Sequence, residues 1–234
     1  MVSPHVTKTK PFEERTASSY KLKEVALCPE GKFSVIKSME LTKVAKEGNV
    51  RAAQPLVERS DVDLNYGDLE DDRTALFWAA SRGHFHIVNL LLRCPKVEVN
   101  KPNSKGETPL WIACCKGHAD VARLLVAHPG VLVNSARTST GSTSLVMAAQ
   151  EGHAQVAKIL LSHPDIQVNA ARSDNGATPL IVACLYGHLQ LVRLLLDRPE
   201  IDTTVRLNNV TALGWARRKG HTSIAKAIQA RQLR

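Results

Sequence analysis

The sequence predicts an all-α fold: an array of repeated helix–turn–helix units, each two short helices joined by a tight turn. Three observations predict it. A helix-start signal, Thr with Leu two residues on, recurs at Thr74, Thr108, Thr143, Thr178 and Thr211, at spacings of 34, 35, 35 and 33 residues. A helix-stop signal recurs as Gly83-His84, Gly117-His118, Gly152-His153, Gly187-His188 and Gly220-His221. After each stop, apolar residues return at helical spacing, as with Leu191, Val192, Leu194 and Leu195.

One unit, Asn175 to Leu196 ("NGATPLIVACLYGHLQLVRLLL"), shows the local chemistry. The Thr178 hydroxyl can cap free backbone N–H groups, and Pro179 sits at the first helical position, where a missing N–H costs nothing. Gly187 ends that helix, since glycine enters the left-handed region without a side-chain penalty. A second apolar pattern follows at once and closes at Arg198-Pro199. Helices this short are marginal alone and must bury a face on a neighbour.

Along the chain, residues 1–37 lack a sustained helical period and scatter Pro, Ser, Thr, Lys and Glu, which reads as a disordered or loosely docked segment. A transit peptide there is disfavoured because Glu13, Glu14 and Glu24 break its acid-poor character. Residues 38–234 form the array. Residues 38–68 are a degenerate N-terminal cap repeat, with Ala45, Gly48 and Asn49 in register with the later stops. That unit lacks the Thr-Pro-Leu start, and Pro55 falls inside its second helix, where it removes a hydrogen bond. Residues 69–205 hold four fuller repeats. Residues 206–234 read as a C-terminal cap, where Ile224 and Ile228 keep a buried face while Lys226, Gln229, Arg231 and Gln232 are polar.

The period, the start "TPL", the stop "GH" and runs such as "LLL" resemble the ankyrin repeat family from about Leu41 to the C-terminus. The resemblance implies a hairpin-like turn and two antiparallel helices per repeat, stacked as a curved solenoid. Asn169 to Thr178 spans nine positions, about one more than the family's usual pattern. The linker "SHPDIQVN" is likewise one residue longer than its common loop. Both insertions fall in loops, where they are tolerated.

Composition narrows the function classes. With 44% hydrophobic but only 4% aromatic residues, the core is one of Ala, Val and Leu. Cys28, Cys94, Cys114, Cys115 and Cys184 make no even disulfide framework, and Cys114 and Cys184 share the repeat position of Ala80 and Ala149. A reduced, intracellular compartment is expected, cytoplasmic or nuclear, with organelle import left open. No apolar run reaches the roughly 18 residues of a membrane span. The net charge of +9 is uneven: residues 1–37 carry +3, residues 203–234 carry +7, and the middle carries −1. That argues against a nucleic-acid stripe along the array and for a basic C-terminal cap.

The five recurrent histidines invite a metal reading, but ligands of one zinc lie about 2.0–2.1 Å from it while stacked helices stand roughly 8–10 Å apart. The resemblance makes each a hydrogen-bonding residue between repeats instead. Cys115 and His118 lack a third orienting group, and no Gly-rich phosphate loop occurs. No metal, cofactor or catalytic residue is expected. Trp78 and Trp215 are assigned to packing; Trp111 is left between packing and partial exposure.

The repeat leaves two residues free before each glycine: Ser81-Arg82, Cys115-Lys116, Gln150-Glu151, Leu185-Tyr186 and Arg218-Lys219. The resemblance implies that these positions and the turn tips form a concave binding surface. The candidate partner-binding set is therefore Arg82, Lys116, Gln150, Glu151, Leu185, Tyr186, Arg218 and Lys219, with Glu70, Asp71, Asp72 and Asn175 at the tips. Leu185 and Tyr186 either anchor a partner or pack on their neighbours. Acidic Asp68, Glu70, Asp71 and Asp72 at the first tip face basic Arg206, Arg217, Arg218 and Lys219 at the last. This is either a solvated face or a dipolar groove that orients an extended ligand.

The functional expectation is a non-catalytic protein–protein interaction module, an adaptor or scaffold, monomeric and binding another protein on its concave face. Two alternatives stand beside it: a binder of anionic polymers or acidic surfaces through the basic C-terminal end, and a regulatory subunit of a larger enzyme assembly.

Overall fold

The computed structural model of the chain describes residues 35–233, which form twelve helices and one two-stranded hairpin. The helices come in pairs: α1 (Val35–Glu47) with α2 (Val50–Val57), α3 (Ala75–Arg82) with α4 (Phe85–Leu92), and α5 (Pro109–Lys116) with α6 (Ala119–Val126). Then come α7 (Ser144–Glu151) with α8 (Ala154–Leu161), α9 (Pro179–Tyr186) with α10 (Leu189–Leu196), and α11 (Ala212–Arg218) with α12 (Thr222–Gln232). The hairpin, β1 (Arg206–Leu207) and β2 (Val210–Thr211), precedes the last pair.

The start signals act as read. Thr74, Thr108, Thr143 and Thr178 accept hydrogen bonds from the backbone N–H groups of Phe77, Trp111, Val146 and Ile181 at 3.1–3.4 Å. Thr211 does the same for Gly214 at 3.3 Å. The first pair differs from the reading. Its α1 begins at Val35, three residues ahead of Ser38, and α2 runs through Pro55 to Val57. Pro55 is exposed, so its ring faces solvent; it forgoes the bond to the Arg51 carbonyl, while the helix closes with the Glu58 N–H donating to the Gln54 carbonyl at 3.3 Å. The rest of the predicted N-terminal segment, residues 1–34, lies outside the described residues, as do Cys28 and the transit-peptide question.

First helices stack on first helices and second helices on second, giving two layers. The first-helix layer is the more closely packed, and its buried side chains are small: Ala79, Ala80, Ala113, Cys114, Ala148, Ala149, Ala183 and Cys184 are wholly inaccessible. Second helices meet through Ile87, Leu91, Leu125, Leu160 and Leu195, which hold their axes farther apart. Short spacing on one layer and long spacing on the other bend the stack, so first helices and tips line its concave side. Trp111 resolves to packing: it is buried, and its indole N–H donates to the Ser142 carbonyl of the next repeat at 2.8 Å. Trp78 is buried as well, while Trp215 is half-buried against the core.

Three ladders tie each repeat to the next. In the first, Nε2 of His84, His118, His153 and His188 donates to the carbonyls of Lys46, Ser81, Cys115 and Gln150 at 3.1–3.2 Å. A carbonyl only accepts, so Nε2 carries the proton. Each ring lies where the preceding stop glycine would carry a Cβ: one built on Gly152 meets His188 Cε1 and Nδ1 at 2.5 Å. His221 fills the same place over Gly187. In the second ladder, the side-chain amides of Asn65, Asn100, Asn134 and Asn169 donate to the carbonyls of Lys96, Gly130, Asp165 and Glu200 at 2.6–2.8 Å. Their oxygens accept from the N–H groups of Glu98, Leu132, Gln167 and Asp202 at 2.8–3.0 Å. In the third, tip backbones bond successively, Ser104 N–H to Asp71, Thr138 N–H to Lys105 and Ser173 N–H to Thr140.

The tips are closed turns, each with a backbone bond across its base, such as Asn103 N–H to the Glu107 carbonyl at 3.0 Å. Only the last becomes a paired hairpin, because Asn208 and Asn209 both take positive φ, 48° and 63°. Two successive left-handed residues are what a tight two-residue hairpin needs, and Asn tolerates that region best after Gly.

Candidate binding face

The residues that the repeat leaves free lie along one side of the first-helix layer. Arg82, Lys116, Glu151, Tyr186, Arg218 and Lys219 are exposed, whereas Ala80, Cys114, Ala149 and Cys184, two residues before the first four, are buried. Gln150 is half-buried and donates to the Glu151 carboxylate at 2.9 Å. Leu185 and Tyr186 part company. Leu185 is half-buried against the core, while Tyr186 is 58% exposed, its ring stacked on His188 with centroids 6.3 Å apart and planes within 9°.

At the last repeat, the Arg218 guanidinium stands 5.6 Å from the Trp215 ring centroid. Arg217 occupies the position that Cys184 and Ala149 fill in earlier repeats, where they are buried. No further repeat follows among the described residues, and Arg217 is exposed at that end of the stack.

The acidic tip is engaged differently from the sequence pattern. Asp71 pairs with Arg73 and, at 3.0 Å, with Lys105 of the next tip, and its carbonyl accepts from Ser104. Arg73 and then Lys105 hold its carboxyl below the usual carboxylate range. Burial pushes the Asp68 carboxyl up, but hydrogen bonds from the Asp71 N–H, the Trp78 indole and the Arg73 N–H outweigh it and keep its pKa low. Glu70 and Asp72 are exposed; Asp72 has φ 57°, and Glu70 lies 3.6 Å from Arg73. Asn175 is exposed, yet its side-chain oxygen accepts from the Ala177 N–H at 2.9 Å, so half of that amide is committed to the turn.

One feature on this side was not read from sequence: an open cleft of about 290 Å³ between α1 and the first tip. Met39, Thr42, Lys43, Lys46, Tyr66, Asp68, Leu69, Glu70 and Trp78 line it. Lys46 Nζ stands 4.1 Å from the Trp78 ring centroid and Arg73 Cζ 4.7 Å. Its walls come from residues nearly forty apart in the chain. The only sequence signal was Trp78 itself, at a position where Ile112, Met147 and Val182 stand in the following repeats.

Burial raises the thiol pKa of Cys115, and still more that of Cys114, while the Cys184 thiol is pushed up to about 12. These remain protonated and poor nucleophiles at neutral pH. His118, the other half of the Cys115 pair, is committed to the Ser81 carbonyl. Among the described residues no group of three metal-ligating side chains converges, and no helix is long and apolar enough to cross a membrane.

Comparison with known proteins follows this geometry. A family model described as ankyrin repeats matches residues 41–137, 95–172 and 145–232 in three overlapping copies. A probable E3 ubiquitin-protein ligase, XBOS32 of Oryza sativa subsp. japonica, is 35% identical over 74 residues, 32% of this chain. That match spans 15% of the ligase's own length. The solved structure of EF0377, an ankyrin repeat protein, superposes with a TM-score of 0.75 at 23% identity, covering 82% of this chain and 97% of that one. This last likeness is one of fold.

Proposed function

Because the chain belongs to the ankyrin repeat family, whose repeats are generally protein–protein interaction modules, we propose that it is a non-catalytic adaptor whose concave face holds a partner protein. The supporting observation is the exposed row of Arg82, Lys116, Glu151, Tyr186, Arg218 and Lys219. All but Arg218 share one register position, with Arg218 one residue before it, and no repeat-to-repeat contact consumes their side chains. A rigid scaffold presenting variable side chains binds with little ordering cost. The protein acts as a monomer in this reading.

Tyr186 is the anchor to test, since its exposed ring offers area and a hydroxyl. Tyr186→Ala should leave the unfolding free energy from denaturant titration within about 0.5 kcal/mol of the parent, as for a surface substitution. Affinity for a partner recovered by affinity capture should fall about tenfold or more. Leu185→Ala is the contrasting variant: its half-buried side chain packs on the core, so stability should fall with it. An unchanged affinity in Tyr186→Ala would remove the anchor.

A second reading draws on the partial relative XBOS32. In it, the array recruits a substrate for a larger enzyme assembly. It uses the same concave face and differs only in what is joined to the array.

A further inference from the structure

The two charged ends of the concave face are not equivalent. At the first tip, Asp71 is paired with Arg73 and Lys105, and Asp68 accepts from an indole and two backbone N–H groups. At the other end, residues 203–233 hold no Asp or Glu, and neither Arg218 nor Lys219 meets a carboxylate among the described residues. The dipolar groove of the sequence pattern is therefore unequal: its acidic end is partly paired from within, with Glu70 and Asp72 still exposed, and its basic end meets no carboxylate.

The open cations are also positioned. Arg218 lies by the Trp215 ring at 5.6 Å, a contact that fixes the guanidinium without using its N–H donors. Such a fork is preorganised for bidentate binding of a carboxylate. One repeat earlier, at the equivalent register, stand half-buried Leu185 and exposed Tyr186, on the helix α9 that packs directly against α11. Tyr186 is steadied by its stack on His188. One repeat earlier again, Glu151 is exposed and repels a polyanion lying along the groove.

Resting on the concave-face reading, we propose that the last two repeats dock a protein segment carrying carboxylates beside an apolar residue. The apolar residue seats against Tyr186 and the exposed edge of Leu185. A carboxylate engages the Arg218 fork, and a second lies within reach of Lys219. Glu151 and Tyr186 interrupt the row of exposed cations between Lys116 and Arg218, and that break, with an apolar anchor beside Arg218 and Lys219, favours such a segment over a nucleic acid or an anionic membrane.

The test uses the full chain and four probes: a fluorescein-labelled peptide of Glu and Leu, its Gln-for-Glu counterpart, an oligothymidylate of equal net charge, and vesicles containing phosphatidylserine. The Glu–Leu peptide should bind, weaken as salt rises, and bind at least about tenfold better than the Gln peptide. Arg218→Ala with Lys219→Ala should lose about tenfold for the Glu–Leu peptide while the melting temperature holds. Absence of Glu–Leu binding, equal binding of the Gln peptide, indifference to the double variant, or tighter binding of oligothymidylate or vesicles would each overturn the proposal. If any of these occurs while Tyr186→Ala still weakens the captured partner, the partner's chemistry is wrong and the concave-face reading survives.

Discussion

Trp111→Ala should destabilise the array by about 3–5 kcal/mol, the range for truncating a buried Trp. The side chain is 3% exposed, and its indole N–H spans to the Ser142 carbonyl of the next repeat. Truncation therefore opens a cavity in one repeat and removes one of the two hydrogen bonds that the Ser142 carbonyl accepts, leaving that from the Arg137 N–H. Repeat arrays are held by nearest-neighbour interfaces, so the loss falls on the junction between the second and third of the four fuller repeats. Trp111→Phe keeps most of the volume and should cost only about 0.5–1.5 kcal/mol, the net contribution of one hydrogen bond. Denaturant midpoints of the two variants check the ranking: equal losses would mean that the ring volume carries nothing, and an unchanged Trp111→Phe that the hydrogen bond carries nothing.

Gly152→Val should cost roughly 2–5 kcal/mol, combining backbone strain with overpacking. At φ +77° a β-branched residue is a steric outlier, and even a bare Cβ would meet the His188 ring at 2.5 Å. The two causes separate by position. Gly220 has nearly the same φ, +75°, but open space around its missing Cβ. Gly220→Ala should then cost about 1–2 kcal/mol of strain alone, and Gly152→Ala about 1–3 kcal/mol more as His188 is displaced from the Gln150 carbonyl. If the two alanine variants lose equal stability, the histidine ladder contributes nothing to the junction.

What was legible in the sequence is what acts within a few residues. Thr178, Pro179 and Gly187 are a cap, a first-turn Pro and a left-handed stop, and each chemistry operates within one helix. Their recurrence then gave the stacking and the histidines' role. What was missed acts across a repeat. The asparagine ladder is spelled in the chain, with Asn65, Asn100, Asn134 and Asn169 at the period of the threonines, yet only the structure shows each amide bridging to the following loop. Asp71 read as surface charge of one tip, although Arg73 two residues on also pairs with it, and its bridge to Lys105, 34 residues away, is visible only in the structure. Arg217 read as part of the groove, although its position is a core position exposed by the end of the stack. On the candidate face, sequence reasoning chose the register position but could not divide Leu185 from Tyr186. That division depends on how far the neighbouring helices cover each side chain.

The most direct test of the central claim is hydrogen exchange on the chain alone and in complex with a captured partner. Concave-face binding requires added protection at the tips and at the C-terminal turns of the first helices, around Arg82, Lys116, Glu151, Tyr186 and Lys219, with the second helices α4, α6, α8 and α10 unchanged. Protection confined to those second helices, with the tips and first helices exchanging as in the free chain, would contradict it.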